Sequence, residues 1–384
     1  MANELLPAGR GYVYVKTEST YNTNPGDLDA TDVLYVEDFA KTYSRDNVER
    51  GGISPGHPGG FLSVPSVAHQ TWSFNSEVRM KTITDANSAD VPNIDPVMKA
   101  CGFVLTSDSG TASHTYTLDP GNHSSFTLEA YEVDTVNADT VKTVMTGCRG
   151  NATLSFNPGE RIMISASGSA VYSATGMAPA ISATGSGAAT VTYPSDKAML
   201  ANGTSVQLIN VSDDSLYGGG SIGSPGNAVL VRSLEIDCGM AMSEQMGLSS
   251  TAGVGRVYLH GGEGPTANMV IEQVAVGDFN PWTIRDNQTV IECNFIFTQP
   301  GGSNQMQVVF YGQIVGEIDE AENDGVRTWG LTLKMRYPED PSDGSPAVGF
   351  EPSHPIKGDT ANRGVQADVS LPAGVLAIQF ITPS

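Results

Sequence analysis

Apolar and polar residues alternate with a period of two along most of the chain. In TWSFNSEVRM, Trp72, Phe74, Val78 and Met80 share one face, and Thr71, Ser73, Asn75, Glu77 and Arg79 the other. Leu234, Ile236 and Cys238 oppose Ser233, Glu235 and Asp237. Ile291, Cys293, Phe295 and Phe297 oppose Glu292, Asn294 and Thr298. Trp329, Leu331, Leu333 and Met335 oppose Thr332, Lys334 and Arg336. Each pattern predicts an antiparallel strand with one buried and one wet face. Further strands are expected at 125–133, 150–156, 161–167, 255–260, 268–276, 306–318 and 375–381. Asn157-Pro158-Gly159 and Asn323-Asp324-Gly325 supply turns between strand pairs. The expectation is a mainly β protein.

Two short helices interrupt this pattern. Asp95 reads as a cap, with Pro96 at the first helical position and Gly102 as the stop; Asn280 and Pro281 open a second helix in the same way. The two halves correspond loosely. Strand 71–80 resembles 231–240 in type, 125–133 resembles 290–298, and the hairpins that follow also match, all about 160 to 165 residues apart. The expected organisation is an N-terminal arm and long loop over 1–65, a first half over 66–175 and a Gly/Ala/Ser-rich linker or excursion over 176–227. A second half spans 228–337, and a C-terminal extension over 338–384 ends in a strand suited to another subunit or a distant sheet edge.

Charge narrows the partners. Among 384 residues, 20 Lys and Arg face 42 Asp and Glu, a net charge of −22. Such a surface repels nucleic-acid phosphate, which argues against duplex recognition. No segment approaches the roughly 20 apolar residues of a membrane span. The opening MANELLPAGRGYVYVK lacks the apolar run of a secretory signal, so the expectation is a soluble protein that first meets a cytoplasm. Cys101, Cys148, Cys238 and Cys293 form no close pairs, which disfavours zinc and points to buried free thiols. The sequons at Asn122, Asn151, Asn202, Asn210 and Asn287 then read as surface turns.

The motifs that could carry chemistry fail on context. Gly52-Ile53-Ser54-Pro55-Gly56 has the spacing of a nucleophile elbow, but Pro55, Gly56 and Pro58 forbid the helix it needs. Gly218 to Gly223 has dinucleotide-loop spacing, but Pro225 breaks the following helix and no parallel βαβ pattern exists. Glu317, Asp319, Glu320, Glu322 and Asp324 lack the spacing of a calcium loop and read as a solvated hairpin tip. Asp134, Asp139, Asp213 and Asp214 read as loop acids, and His114 and His123 as surface residues flanking a turn at Pro120-Gly121. Trp72, Trp282 and Trp329 read as core. No constellation assembles a nucleophile, a base and an orienting group, so neither an enzyme nor any cofactor or metal is expected.

Three stretches resemble the tail tube (major tail) proteins of long-tailed bacteriophages: SFNSEVRM with NIDPVMKACGFVL; the hairpin KTVMTGCRGNATLSFNPGERIMISASGSAVY; and VLVRSLEIDCGM with NQMQVVFYGQIVGEIDEAENDGVRTWGLTLKMRY. They cover about residues 65–175 and 228–337. The resemblance implies a tube-like β-sandwich or barrel and a virion structural role. Subunits form rings, hexameric or, with two tube domains per chain, trimeric, whose sheets join into one inner barrel. It implies tape measure, tail terminator and baseplate or tip proteins as partners, with genomic DNA as a passenger of the bore. A polar acidic lumen would keep DNA from sticking to the wall, and Glu77, Glu235, Asp237 and Glu292 are the lumen candidates. The arm and the glycine-rich excursion would touch successive rings. The alternatives are another β-rich virion component, such as a head-decoration or capsid protein, and a β-sandwich enzyme or carbohydrate-binding module. The last would need paired carboxylates or clustered aromatics, which the pattern lacks.

Overall fold

The computed structural model describes residues 11–26, 28, 32–48, 63–84, 90–109, 112–119, 121–133, 140–171, 180–182, 196–210, 216–217, 229–246, 254–323, 325–336 and 375–382. The protein is mainly β, with twenty strands and two short helices among these residues. The first part carries β1 (Gly11–Thr17), β2 (Val33–Leu34), β3 (Val36–Val48), β4 (Val64–Glu77), α1 (Asp95–Ala100), β5 (Phe103–Asp108) and β6 (Ser113–Leu118), followed by β7 (Phe126–Val133), β8 (Thr140–Phe156), β9 (Met163–Val171) and β10 (Ala180–Ser182). The second carries β11 (Gly203–Asn210), β12 (Leu216–Tyr217), β13 (Val231–Asp237), β14 (Met240–Gln245), β15 (Arg256–Gly261) and β16 (Thr266–Glu272). It continues with α2 (Pro281–Asp286), β17 (Val290–Thr298), β18 (Gln305–Asn323), β19 (Val326–Met335) and β20 (Leu376–Ile381).

Strand pairing reveals an internal duplication. The first unit pairs β3–β4–β9–β8–β7–β1, with β2 on β1 and β10 on β8. The second pairs β13–β16–β19–β18–β17–β11, with β12 on β11 and β20 on β18. The registers correspond as well. Phe74 opposite Ala166 is matched by Met269 opposite Leu331. Leu128 opposite Met145 is matched by Cys293 opposite Phe310, and Val15 opposite Leu128 by Leu208 opposite Cys293. Because a one-residue slip would turn every side chain to the other face, matched registers carry matched cores.

This topology corrects several expectations. The counterpart of β4 is β16, not the strand at 231–240, since β4 and β16 each pair with the strand that closes the hairpin; β13 instead corresponds to β3. The first unit begins at β1, so residues 11–17 and 33–48 of the expected arm lie within the sheets. The expected linker holds β10, β11 and β12, each hydrogen-bonded to a neighbouring strand. The mainly β architecture is as expected, and among the described residues the strands form no closed barrel.

Two long strands build the layers. β8 pairs with β7 up to Cys148 and then, along the same edge, with β13 from Thr153 to Phe156; β9 takes the other edge from Thr146 to Ser155. The bend sits at a bulge where Gly147 has φ +63°, and β18 bends similarly around Gly316 at φ +75°. Left-handed backbone at a bulge suits glycine, which has no Cβ to clash. At the first bend the buried Glu18 carboxylate accepts hydrogen bonds from the Gly147 amide (2.8 Å), Ser125 Oγ (2.6 Å), Thr127 Oγ1 (2.8 Å) and the Asn22 amide (2.8 Å).

One layer is therefore β3–β4–β9–β8–β13–β16–β19–β18, eight antiparallel strands running through both units. The other layers pack against it, with the Trp72 ring 5.0 Å from Phe126 and Phe156 5.1 Å from Phe297. β20 bridges the units by pairing with β18 on one side and β6 on the other, a distant sheet edge. The β14–β15 hairpin of the second unit leans on the first. There the Val254 amide donates to Ala68 O, Glu244 pairs with His69 at 2.6 Å, and Arg149 Nη1 donates to Val257 O at 2.8 Å.

Candidate assembly face and edges

The helix openings position the ends of the layers. Asn280 caps α2, its side chain accepting from the Thr283 amide at 3.1 Å, with Pro281 at the first turn. α1 departs from expectation. Its cap position is Ile94, and Asp95 is the first helical residue, followed by Pro96. The buried Asp95 carboxylate instead accepts from Lys99 Nζ one turn on (2.8 Å) and from the Tyr116 hydroxyl (2.8 Å), tying α1 to β6. Burial and the neighbouring Asp95 charge push the Tyr116 hydroxyl well above its ordinary pKa.

The polar face of the eight-stranded layer carries two of the four lumen candidates, one of them exposed. Glu235 is exposed on β13, opposite Ser155 and Asn268. It borders a shallow depression of about 220 Å³ shared with Ser155, Asn157, Ser233, Asn268 and Val270. Asp237 is half-buried and engaged in the joint between units. It accepts from Asn151 Nδ2 at 2.6 Å and from the Gly239 amide at 2.9 Å. Their neighbours are small and neutral, and Thr332 donates its hydroxyl to Asn268 Oδ1 at 3.1 Å.

The other two candidates are buried, which corrects the wet-face reading. Glu77 is 5% exposed because Arg79 and Arg161 close over it, with Arg161 Nη1 at 2.9 Å. Hydrogen bonds to Glu77 and Glu37 raise the Arg161 pKa further and keep that guanidinium charged. Glu292 is 7% exposed, and its strand, β17, lies outside the eight-stranded layer, between β11 and β18. The strand IECNFIF is buried on both faces, so alternation misassigned its polar residues.

His114 is also corrected: it is fully buried on β6, with Nδ1 2.9 Å from Ser107 Oγ, and burial lowers its pKa. All four cysteines are buried and free, and burial raises each thiol pKa. Trp72 and Trp329 are core residues, and Trp282 packs against the core. Glu317, Asp319, Glu320 and Glu322 lie exposed on β18. Among the described residues, no group of three or more His, Cys, Asp or Glu could hold a metal ion, and no helix is long and apolar enough to cross a membrane. Asp134, Asp139, Asp213, Asp214, Asp324 and the Gly52–Gly56 and Gly218–Gly223 motifs lie outside the described residues.

Two strand edges stand out. Among the described residues, β3 has a strand partner only along its β4 side, and β18 beyond Gln313 only along its β19 side. No family model matches the chain, and no curated protein matches it.

Proposed function

We propose that this chain is a self-assembling structural subunit of a phage tail tube, a major tail protein, with no catalytic role. The observation that carries the reading is the eight-stranded layer, built from two copies of one four-strand unit and, among the described residues, open at both ends. An open antiparallel layer with long edges is an association hazard unless the edges are paired. Identical copies meeting head to tail satisfy those edges when the rotation closes into a ring. With two units per chain, three chains give six units, so the ring is trimeric and pseudo-hexameric. Its inner layers would form one barrel, and stacked rings the conduit for DNA ejection.

The polar face supports this reading. The cross-strand neighbours of the exposed Glu235 are Ser155 and Asn268, which carry no charge for phosphate. The half-buried Lys334 stands farther along the same face, and the net charge of −22 disfavours a lasting hold on DNA, as a conduit requires. On this reading the protein is assembled in the host cytoplasm and resides in the virion tail. Its partners are its own copies, the tape measure, the tail terminator and the baseplate or tip proteins. The test is negative-stain electron microscopy of the purified protein over a range of concentrations. Hollow rings or tubes with a central bore are expected; shells or compact trimers without a bore would replace the tube with a head-decoration or capsid role.

A further inference from the structure

Inside the chain the eight-stranded layer passes from one unit to the other at the strand pair β8 with β13, in the register Phe156–Leu234, Ser155–Glu235, Leu154–Ile236, Thr153–Asp237, while β20 with β6 joins the units outside that layer. The duplication makes β18 the counterpart of β8, and β3 the counterpart of β13. At the two ends of the eight-stranded layer, β3 and β18 beyond Gln313 each have an outer edge that lacks a strand partner among the described residues. The chain therefore presents, at its two open ends, second versions of the edges it has already joined once.

The duplication also transfers the register. Thr42 faces Thr71 as Asp237 faces Thr266, and Lys41 faces Trp72 as Ile236 faces Ala267. Met163 lies between Glu77 and Ser155 as Thr328 lies between Glu272 and Ala321, which makes Ala321 the counterpart of Ser155. We propose that the β3 edge of one copy pairs antiparallel with the β18 edge of the next, with Phe39 opposite Glu322, Ala40 opposite Ala321, Lys41 opposite Glu320, and Thr42 opposite Asp319. The joint deepens the self-assembly reading by naming the strands and register through which copies meet.

The chemistry of the two joints differs in a telling way. Within the chain, the side facing the packed layers is apolar and buried: Leu154, Phe156, Leu234 and Ile236 are each at most 3% exposed. Their counterparts between copies are Glu320, Glu322, Phe39 and Lys41. The inner joint forms during folding and never faces water again. The outer edges stand in water before assembly, where charges suppress promiscuous pairing. Phe39 packs on the core and Lys41 Nζ reaches Thr143 Oγ1 at 2.9 Å, so both are already held on the layer-facing side. Glu320 completes the match as an opposite charge directly across the strands. A one-residue slip would turn Glu320 and Glu322 to the opposite face from Lys41.

The test is cysteine pairing in the full-length protein, favoured by the burial of all four native thiols. Ala40 and Ala321 are both exposed. Directly opposite residues have Cβ atoms about 4.5–5.5 Å apart, close to disulfide reach. Under mild oxidation, the Ala40→Cys/Ala321→Cys protein should form covalent multimers on a non-reducing gel. A mixture of the two single variants should give covalent dimers only. Pairing Ala40→Cys with Asp319→Cys, which is out of register, should link at least about tenfold more slowly. Lys41→Glu should reduce sedimentable assembly, and adding Glu320→Lys in the same chain should restore it, with circular dichroism reporting the fold of each variant. Rings or tubes without the Ala40–Ala321 link, or faster linking at Asp319, overturn the joint while self-assembly stands. A monomer at every concentration, with no link, overturns both.

Discussion

Glu18 offers the sharpest test of how β8 serves two layers. Its carboxylate is 6% exposed and accepts four hydrogen bonds, one from the Gly147 amide at the apex of the bend. Substitution Glu18→Ala leaves that buried amide without its acceptor, at about 1–3 kcal/mol. Ser125 and Thr127 are also buried and lose their acceptor, but their hydroxyls can rotate toward other oxygens, so each adds about 1 kcal/mol at most. The Asn22 amide belongs to an exposed residue and can turn to water. Removing a buried carboxylate also removes its desolvation cost, which offsets part of the loss. The expected net effect is about 3 kcal/mol. Glu18→Gln keeps the volume and one acceptor oxygen, and should cost about 1 kcal/mol if that oxygen stays on Gly147. Urea unfolding with unchanged slope measures both, and amide exchange at Gly147 localises the damage. A loss below about 1 kcal/mol for Glu18→Ala, or equal losses for both variants, would refute the carboxylate as what holds the bend.

The β14–β15 hairpin should be held in a pH-dependent way. The hydrogen bond to Glu244, with Asp46 nearby, raises the His69 pKa. That contribution is therefore complete below the unfolded histidine value of about 6.5 and is lost as pH rises through the raised folded value. Hydrogen exchange in β14 and β15, corrected for intrinsic rates, should quicken over that window in the native protein but not in His69→Ala. Gly168→Ala should be severely destabilising by thermal melting, because a Cβ there would lie 2.0 Å from the Arg149 carbonyl oxygen and 2.6 Å from Trp72 Cζ2; backbone cannot yield cheaply, so a loss of about 3 kcal/mol or more is expected, and under about 1 kcal/mol would contradict it. The four thiols should resist an aromatic disulfide reagent in the native state and all react in denaturant; rapid native labelling of any one would contradict its burial.

The strands with one buried face were legible because alternation reports that state directly. Val290–Thr298 was found as a strand, yet Glu292 was placed in water, since a strand covered on both faces can still alternate chemically. β6 was missed for a related reason: SHTYTL is polar in composition but buried throughout. β11 lay hidden in a low-charge stretch, where glycine and threonine resemble linker chemistry until β17 is seen beside them. The duplication was visible in the hairpins and misaligned at β4, because equivalence lies in the hydrogen-bonding partner, which sequence periodicity does not report. The open edges of β3 and β18 were beyond sequence reach, as an edge is defined by what pairs with it. The acidic run on β18 was visible, and its bland reading as a solvated surface fits the isolated chain.

The reach of β20 carries a consequence for the order in which the molecule can be made. Ala377 pairs with Thr117 and with Val309, so the β5–β6 hairpin finds its neighbour only after the ribosome has added most of the second unit. Until then, β6 and the matching stretch of β18 are sticky, half-finished surfaces on a nascent chain. Contacts this distant in sequence form late and slowly, and nascent chains with unpaired edges are those most exposed to misassociation. The strand at 376–381 thus acts as a timer: whatever the finished chain joins, it is not ready to join until that segment has been threaded between its two halves.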